Sequence, residues 1–235
     1  LYIRTDVLKQ HGISTPKTYE EVVAAAEKIR AAGKMKYPYA AAYKAGWNLA
    51  EEFVNMYIGH GGEFFKSGTA TPSINNAKGV ATLNMLKKLA DLSNPDFLTH
   101  DSEAIKVEWE AGNVAIMTLW ASRAGTLLDA EGDAKITAST KLVAPATVGG
   151  GNIPATTLWW DGFTLAKNRS DADAEASFRA MAHAASSKEM VAKAADQAVW
   201  LIEGFVPGPK SVGVIKAVEM GAKPYPMLPQ MGLMH

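Results

Sequence analysis

The 235-residue chain contains no cysteine. Disulfides, zinc–thiolate centres and cysteine nucleophiles are therefore excluded, while the compartment is left open. It also has no excess of either charge, with 24 Lys and Arg against 24 Asp and Glu. Without a basic run, nothing points to nucleic acid or to an anionic membrane surface. No apolar stretch approaches the roughly 20 residues of a membrane span, so direct membrane insertion is not expected. The five histidines lie far apart, with no H-x-x-x-H spacing and no G-x-S-x-G elbow. Metal-ligand and Ser–His chemistry thus lack their usual residues, and neither metal nor cofactor is expected. The glycine run "VGGGN" (148–152) lacks the strand-to-helix setting of a phosphate loop. Leu1 opens the chain without methionine or a signal-like region, so the sequence reads as starting inside a longer protein.

What remains is an ordinary globular composition, 48% hydrophobic and 20% charged, able to bury a real core. Strand-like and helix-like stretches alternate, which predicts α/β layers. "STPKTYEEVVAAAEKIRAAGK" reads as a helix with a Thr18/Glu21 capping box and a C-terminal stop at Gly33. Asn48 with Glu51 suits the start of a helix ending in "GHGG" (59–62). Two more amphipathic helices follow, in "NNAKGVATLNMLKKLADL" and "THDSEAIKVEWEAG". "NVAIMTLW" reads as a buried strand and "KLVAPATVGGGNIPATT" as a linker. A tryptophan strand "TTLWWDGF" comes next, then helices over roughly 171–185 and from Ser187.

Chemistry-bearing pairs are scarce. Glu108 and Glu110 sit two positions apart on one helix and face different ways, as solvated charges do and a glycosidase pair does not. Tryptophans, in contrast, recur at element ends: Trp47 before a helix, Trp120 after a strand, Trp160 before Asp161. Such rings can line a crevice outside the strand ends and stack on the C–H face of a pyranose. Trp109, within a helix, reads as core. Neighbouring residues of a strand face opposite ways, so one of Trp159 and Trp160 is core and the other is not. Periodicity does not say which.

The order of segments supplies more. "LYIRTDVLKQHGISTPKTYEEVVAAAEKI", "FVNMYIGHGGEFF", "NNAKGVATLNMLKKLAD", "WEAGNVAIMTLW", "TLWWDGFTLAKNRSDADAEASFRAM" and "PYPMLPQMGLMH" occur in this order. The series resembles the extracellular solute-binding proteins of bacterial sugar ABC transporters, the maltodextrin-binding-like family. "WEAGNVAIMTLW" is similar to that family's most diagnostic segment, with Trp109 where phenylalanine is usual; Tyr19 likewise stands for tryptophan. The front of the family's first lobe has no counterpart before Leu1, and its last helices have none after His235.

The resemblance implies a two-lobed periplasmic-binding-protein-like α/β fold (type II), incomplete in this chain. Residues 1–144 would belong to the second lobe, 145–206 to the first, and 207–235 would return to the second. It implies a binding protein, not an enzyme. A sugar, oligosaccharide or sugar alcohol would be held between the lobes by hinge closure and passed to a membrane permease. The implied ligand residues are Trp47, Asn48, Trp120, Arg123, Trp160, Asp161 and Glu203, with Trp159 filling the lobe. The protein would be periplasmic or anchored outside the cell, and monomeric at full length. A carbohydrate-active enzyme using Asp161 and a glutamate is the alternative, as is a same-fold binder of a polyamine or peptide. The helices after 171 would lack part of their cover, leaving apolar positions such as Phe178, Met181, Met190 and Val191 open, and a chain limited to these residues would self-associate.

Overall fold

The computed structural model describes residues 1–129, 133–159, 161–189, 192 and 208–226. Four short strands form the central sheet: β1 (Tyr2–Arg4), β2 (Tyr39–Ala40), β3 (Ile116–Met117) and β4 (Thr140–Leu142), in the order β2-β3-β1-β4. β1 runs antiparallel to both β3 and β4, while β2 and β3 are parallel. The short helix α1 (Thr5–Gln10) follows β1 directly, and α7 (Ala134–Ser139) leads into β4.

Alternation along the strands splits the core into two layers. Ile3, Tyr39 and Ile116 face one way. They meet α2 (Tyr19–Ala31) through Tyr19, Val22, Ala26 and Ile29, and α4 (Ala77–Ala90) through Met85, Leu86 and Leu89. Tyr2, Ala40, Met117 and Leu142 face the other way, against Ile105 and Trp109 of α5 (Ser102–Glu110) and Leu127 of α6 (Ala124–Leu128). Each fully buried Ile, Leu, Val or Met among them contributes about 1.5–3 kcal/mol by leaving water. The result is the three-layer α/β arrangement expected from the alternating elements.

Helix starts follow the residues that can cap them. The side chain of Thr18 accepts from the Glu21 amide, Asn76 from Lys78 and Gly79, and Asp101 from Glu103 and Ala104. Each cap satisfies amides that the helix itself leaves free. The helix expected to be capped by Asn48 differs. α3 (Trp47–Gly59) begins at Trp47, and Gly46 precedes it at φ 98, ψ −136 with no side-chain cap. Glycine takes that backbone easily, so the helix starts two residues earlier and Asn48 falls in its first turn.

The strand expected through Trp120 is also shorter: β3 ends at Met117, and Trp120 leads into the 3-10 turn Ala121–Arg123. Trp109 is core as expected, 1% exposed, with Nε1 donating to Thr140 Oγ1 at 3.1 Å.

After β4 the linker runs over the first core layer. Tyr19 N donates to Thr147 O, and Ala146, Val148 and Ala155 are buried. It leads into β5 (Thr157–Leu158), which pairs in parallel with β6 (Lys223–Pro224). Two strands 66 positions apart in sequence are thereby laid side by side. α8 (Asp171–Ser186) buries none of its residues, and Phe178 is largely exposed on it.

Candidate functional site

α3 and the β5–β6 ribbon together build the densest exposed aromatic group among the described residues. On α3, Trp47, Glu51 and Asn55 are four positions apart in succession and share a helix face. Trp159 follows β5 directly, and Tyr225 follows β6. Because the two strands are parallel neighbours, these two rings arrive side by side, with centroids 4.6 Å apart. Trp47 meets Trp159 edge-on at 5.4 Å and stacks on Tyr225 at 6.1 Å. Trp47 is 45% exposed and Trp159 44%. The three rings form a packed wall with its outer surface in solvent.

Behind the wall lies Glu51, only 3% exposed. Its Oε1 accepts the Trp159 indole N–H at 3.1 Å and the Thr157 hydroxyl at 3.0 Å. Thr157 Oγ1 also lies 2.9 Å from Asn55 Oδ1 and accepts from Trp159 Nε1 at 3.0 Å. Burial, together with the nearby Glu51 carboxylate, pushes the Tyr225 phenol up to about 12. The phenol therefore stays protonated and able to donate at any ordinary pH.

The next residue on α3, Glu52, points into the sheet layer instead and is also buried. Burial first, and the Glu51 charge second, raise its carboxyl to about 8. Nearby, Thr118 Oγ1 lies 2.8 Å from the Tyr39 hydroxyl and 3.3 Å from that of Tyr19. Adjacent glutamates thus have opposite duties: Glu51 braces the wall, and Glu52 sits among core tyrosines.

The expected residues are distributed as follows. Trp47 is in the wall, with Asn48 half-buried beside it in the first turn of α3. Trp120, 36% exposed, sits with Arg123, whose guanidinium lies 5.8 Å from the ring centre. Arg123 also pairs with Glu103 at 2.8 Å. Asp161 is exposed. Trp160 and Glu203 lie outside the described residues, as do Met190 and Val191.

Trp159 is a correction. Expected to fill the lobe, it is an exposed member of the wall, because its indole N–H is drawn to the Glu51 carboxylate and its ring to Trp47 and Tyr225. Glu51 had no functional signal in the sequence beyond its i, i+4 spacing from Trp47, and Tyr225 had no spacing signal at all. Glu108 and Glu110 act separately: Glu108 accepts from Asn113 at 2.9 Å, and Glu110 pairs with Lys106 at 3.2 Å. Among the described residues no cluster of His, Cys, Asp and Glu suits a metal, and no helix is long and apolar enough to cross a membrane. A hollow of about 130 Å³ lies between His60 and the 148–153 segment. Half of its lining residues are glycines, and it presents no Trp, Tyr or Phe ring for stacking.

Comparison with known proteins agrees with this architecture. The family model for bacterial extracellular solute-binding proteins matches residues 1–198. A Deinococcus radiodurans protein named "Probable ABC transporter-binding protein" is 31% identical over 176 residues, which are 72% of this chain and 40% of that protein. The chain thus spans well under half the length of that relative. Among solved structures, maltose-bound T. maritima MalE3 superposes with a TM-score of 0.77 at 18% identity, covering 99% of this chain and 61% of that one. A chitin oligosaccharide binding protein gives 0.78 at 18% identity, with coverage of 95% and 58%. The fold is therefore the α/β fold of the two-lobed periplasmic binding proteins, and the chain belongs to the bacterial extracellular solute-binding protein family of ABC transporters.

Proposed function

We propose that the protein captures a neutral carbohydrate, a sugar, oligosaccharide or sugar alcohol, and delivers it to an ABC transporter permease. The observation that carries this reading is the wall of Trp47, Trp159 and Tyr225, two of its rings nearly half exposed while packed on one another. Exposed, preformed aromatic faces suit the C–H face of a pyranose, and the Tyr225 hydroxyl adds a donor at its edge. Trp120 with Arg123, Asn48 and Asp161 would complete the site, together with Trp160 and Glu203. The named ligands of the similar structures, maltose and chitin oligosaccharide, are of the same chemical class.

A polyamine is less well served. The buried carboxylate at the wall, Glu51, is turned inward onto Thr157 and Trp159, whereas a polycation calls for carboxylates that face it. The linker over roughly 144–155 and the segment "GFVPGPKSV" (204–212) are read as crossings between lobes, with residues 1–144 and 207–235 in the second lobe and 145–206 in the first. Ligand touching both lobes would then stabilise the closed form by its greater affinity for it. Such a protein would work outside the cytoplasm and bind without covalent chemistry.

Isothermal titration against maltose, maltotriose, a chitin oligosaccharide, mannitol and spermidine tests the reading. Saturable binding of at least one neutral carbohydrate, lost on changing Trp47 and Trp159 to alanine, is expected. Binding of spermidine alone would support the charged-ligand alternative. Time-dependent cleavage of an oligosaccharide, abolished by Asp161→Asn, would support the enzyme.

A further inference from the structure

A carboxylate that is 3% exposed is an expensive way to fill space, since charge leaves water at a cost of several kcal/mol per ion unless it is well bonded. An apolar side chain behind the rings would carry no such cost. What an apolar residue lacks is an acceptor, and Glu51 uses one oxygen for two donors on the same strand segment, the Thr157 hydroxyl and the Trp159 indole, whose N–H it shares with Thr157 Oγ1. The indole can rotate about two bonds. Its ring contacts with Trp47 and Tyr225 leave the edge free to slide, whereas a hydrogen bond at Nε1 fixes which edge points inward. Trp159 is also the first residue after β5, where strand pairing no longer restrains it.

We propose that Glu51 is a positioning residue for ligand capture: its carboxylate locks the Trp159 indole so that one ring face is permanently presented to the carbohydrate. The proposal rests on the reading of the wall as the sugar site. Glu51 acts through Trp159 and does not itself meet the ligand. Pre-organising the ring lowers the ordering cost that binding would otherwise carry. Because α3 also carries Trp47 one turn earlier on the same face, the bond sets the two indoles relative to each other.

The test is a double-mutant cycle on the whole protein, using whichever of maltose, maltotriose or chitin oligosaccharide binds the wild type most tightly. Glu51→Ala should weaken binding about tenfold, the scale of one hydrogen bond to a charged group. Glu51→Gln, which keeps a carbonyl acceptor, should stay within about threefold. In a Trp159→Ala background Glu51→Ala should add nothing. Glu51→Met fills the space without an acceptor and decides the matter if the alanine variant does not fold.

Additive losses in the cycle, or a glutamine variant as weak as alanine, would overturn the proposal. A second readout is independent of any sugar. In ¹⁵N spectra of tryptophan-labelled protein, the Trp159 indole N–H should move and exchange faster in Glu51→Met than in wild type. If no carbohydrate binds, the reading of the wall fails, and this resonance alone judges the positioning: an unchanged signal contradicts it.

Discussion

The indole nitrogen of Trp159 donates to the carboxylate of Glu51 at 3.1 Å, so a ring that is 44% exposed hangs on a charge that is 3% exposed. The same oxygen holds Thr157 Oγ1 at 3.0 Å. Thr157→Val should therefore take a donor from a buried carboxylate at nearly constant volume. A loss of about 1–3 kcal/mol is expected, measured as a lower midpoint in urea with unchanged slope. No change would mean that the Thr157 hydroxyl bonds count for little.

Trp109 offers the contrast of a tryptophan that belongs to the core. It is 1% exposed, meets Tyr2 edge-on at 6.4 Å, and donates to Thr140 Oγ1. Trp109→Ala should cost about 3–5 kcal/mol of stability. Trp47→Ala, at a half-exposed ring, should cost far less. Equal losses in denaturant for the two variants would contradict the division between core and wall.

The linker has its own sensitive point at Gly149, whose φ is +62 and whose amide donates to Glu20 Oε1 at 2.9 Å. A Cβ placed there would lie 2.6 Å from His60 Nδ1. Gly149→Ala therefore meets both left-handed strain, about 1–2 kcal/mol, and a ring in its way. Gly150, also at positive φ but with open space around it, should suffer only the strain. Comparing the urea midpoints of the two alanine variants checks this, and equal midpoints would remove the role assigned to His60.

Glu52 makes stability depend on pH. Its carboxyl is raised from an ordinary 4.5 to about 8 by burial and by the Glu51 charge. Between those values the folded chain holds a proton that the unfolded chain has released, so stability falls as pH rises. The contribution is complete below about pH 4.5 and lost through pH 8. Glu52→Gln keeps the neutral shape without titrating. The decline between pH 4.5 and 8 should then be shallower in the variant than in wild type. Parallel curves by urea denaturation would contradict the assignment.

Much of the fold was legible because its signals are local. Thr18, Asn76 and Asp101 announce their helices by capping chemistry within a few residues. Trp109 announces its burial by lying on the apolar stripe of α5, with Ile105 one turn before it. The site was harder to read because its parts meet only in three dimensions. A two-residue strand such as β6 carries no periodicity, so nothing near Tyr225 signals that it will arrive beside Trp159. Adjacent tryptophans are symmetrical under strand alternation, and what turns Trp159 outward is a carboxylate 108 positions away. Glu51 itself reads as part of a helix start. Its place in the wall follows from Gly46, which lets α3 begin at Trp47 and sets Glu51 four residues behind it.

The central claim is that Trp47, Trp159 and Tyr225 form the surface on which carbohydrate stacks. Titration calorimetry of maltotriose and a chitin oligosaccharide into wild type, Trp47→Ala and Trp159→Ala tests it most directly, with the melt of each variant as a check on folding. The account predicts saturable binding by the wild type of at least one of the two. Each folded alanine variant should then be weaker by about 2 kcal/mol or more, as aromatic anchors are elsewhere. Undiminished binding in both folded variants would contradict it.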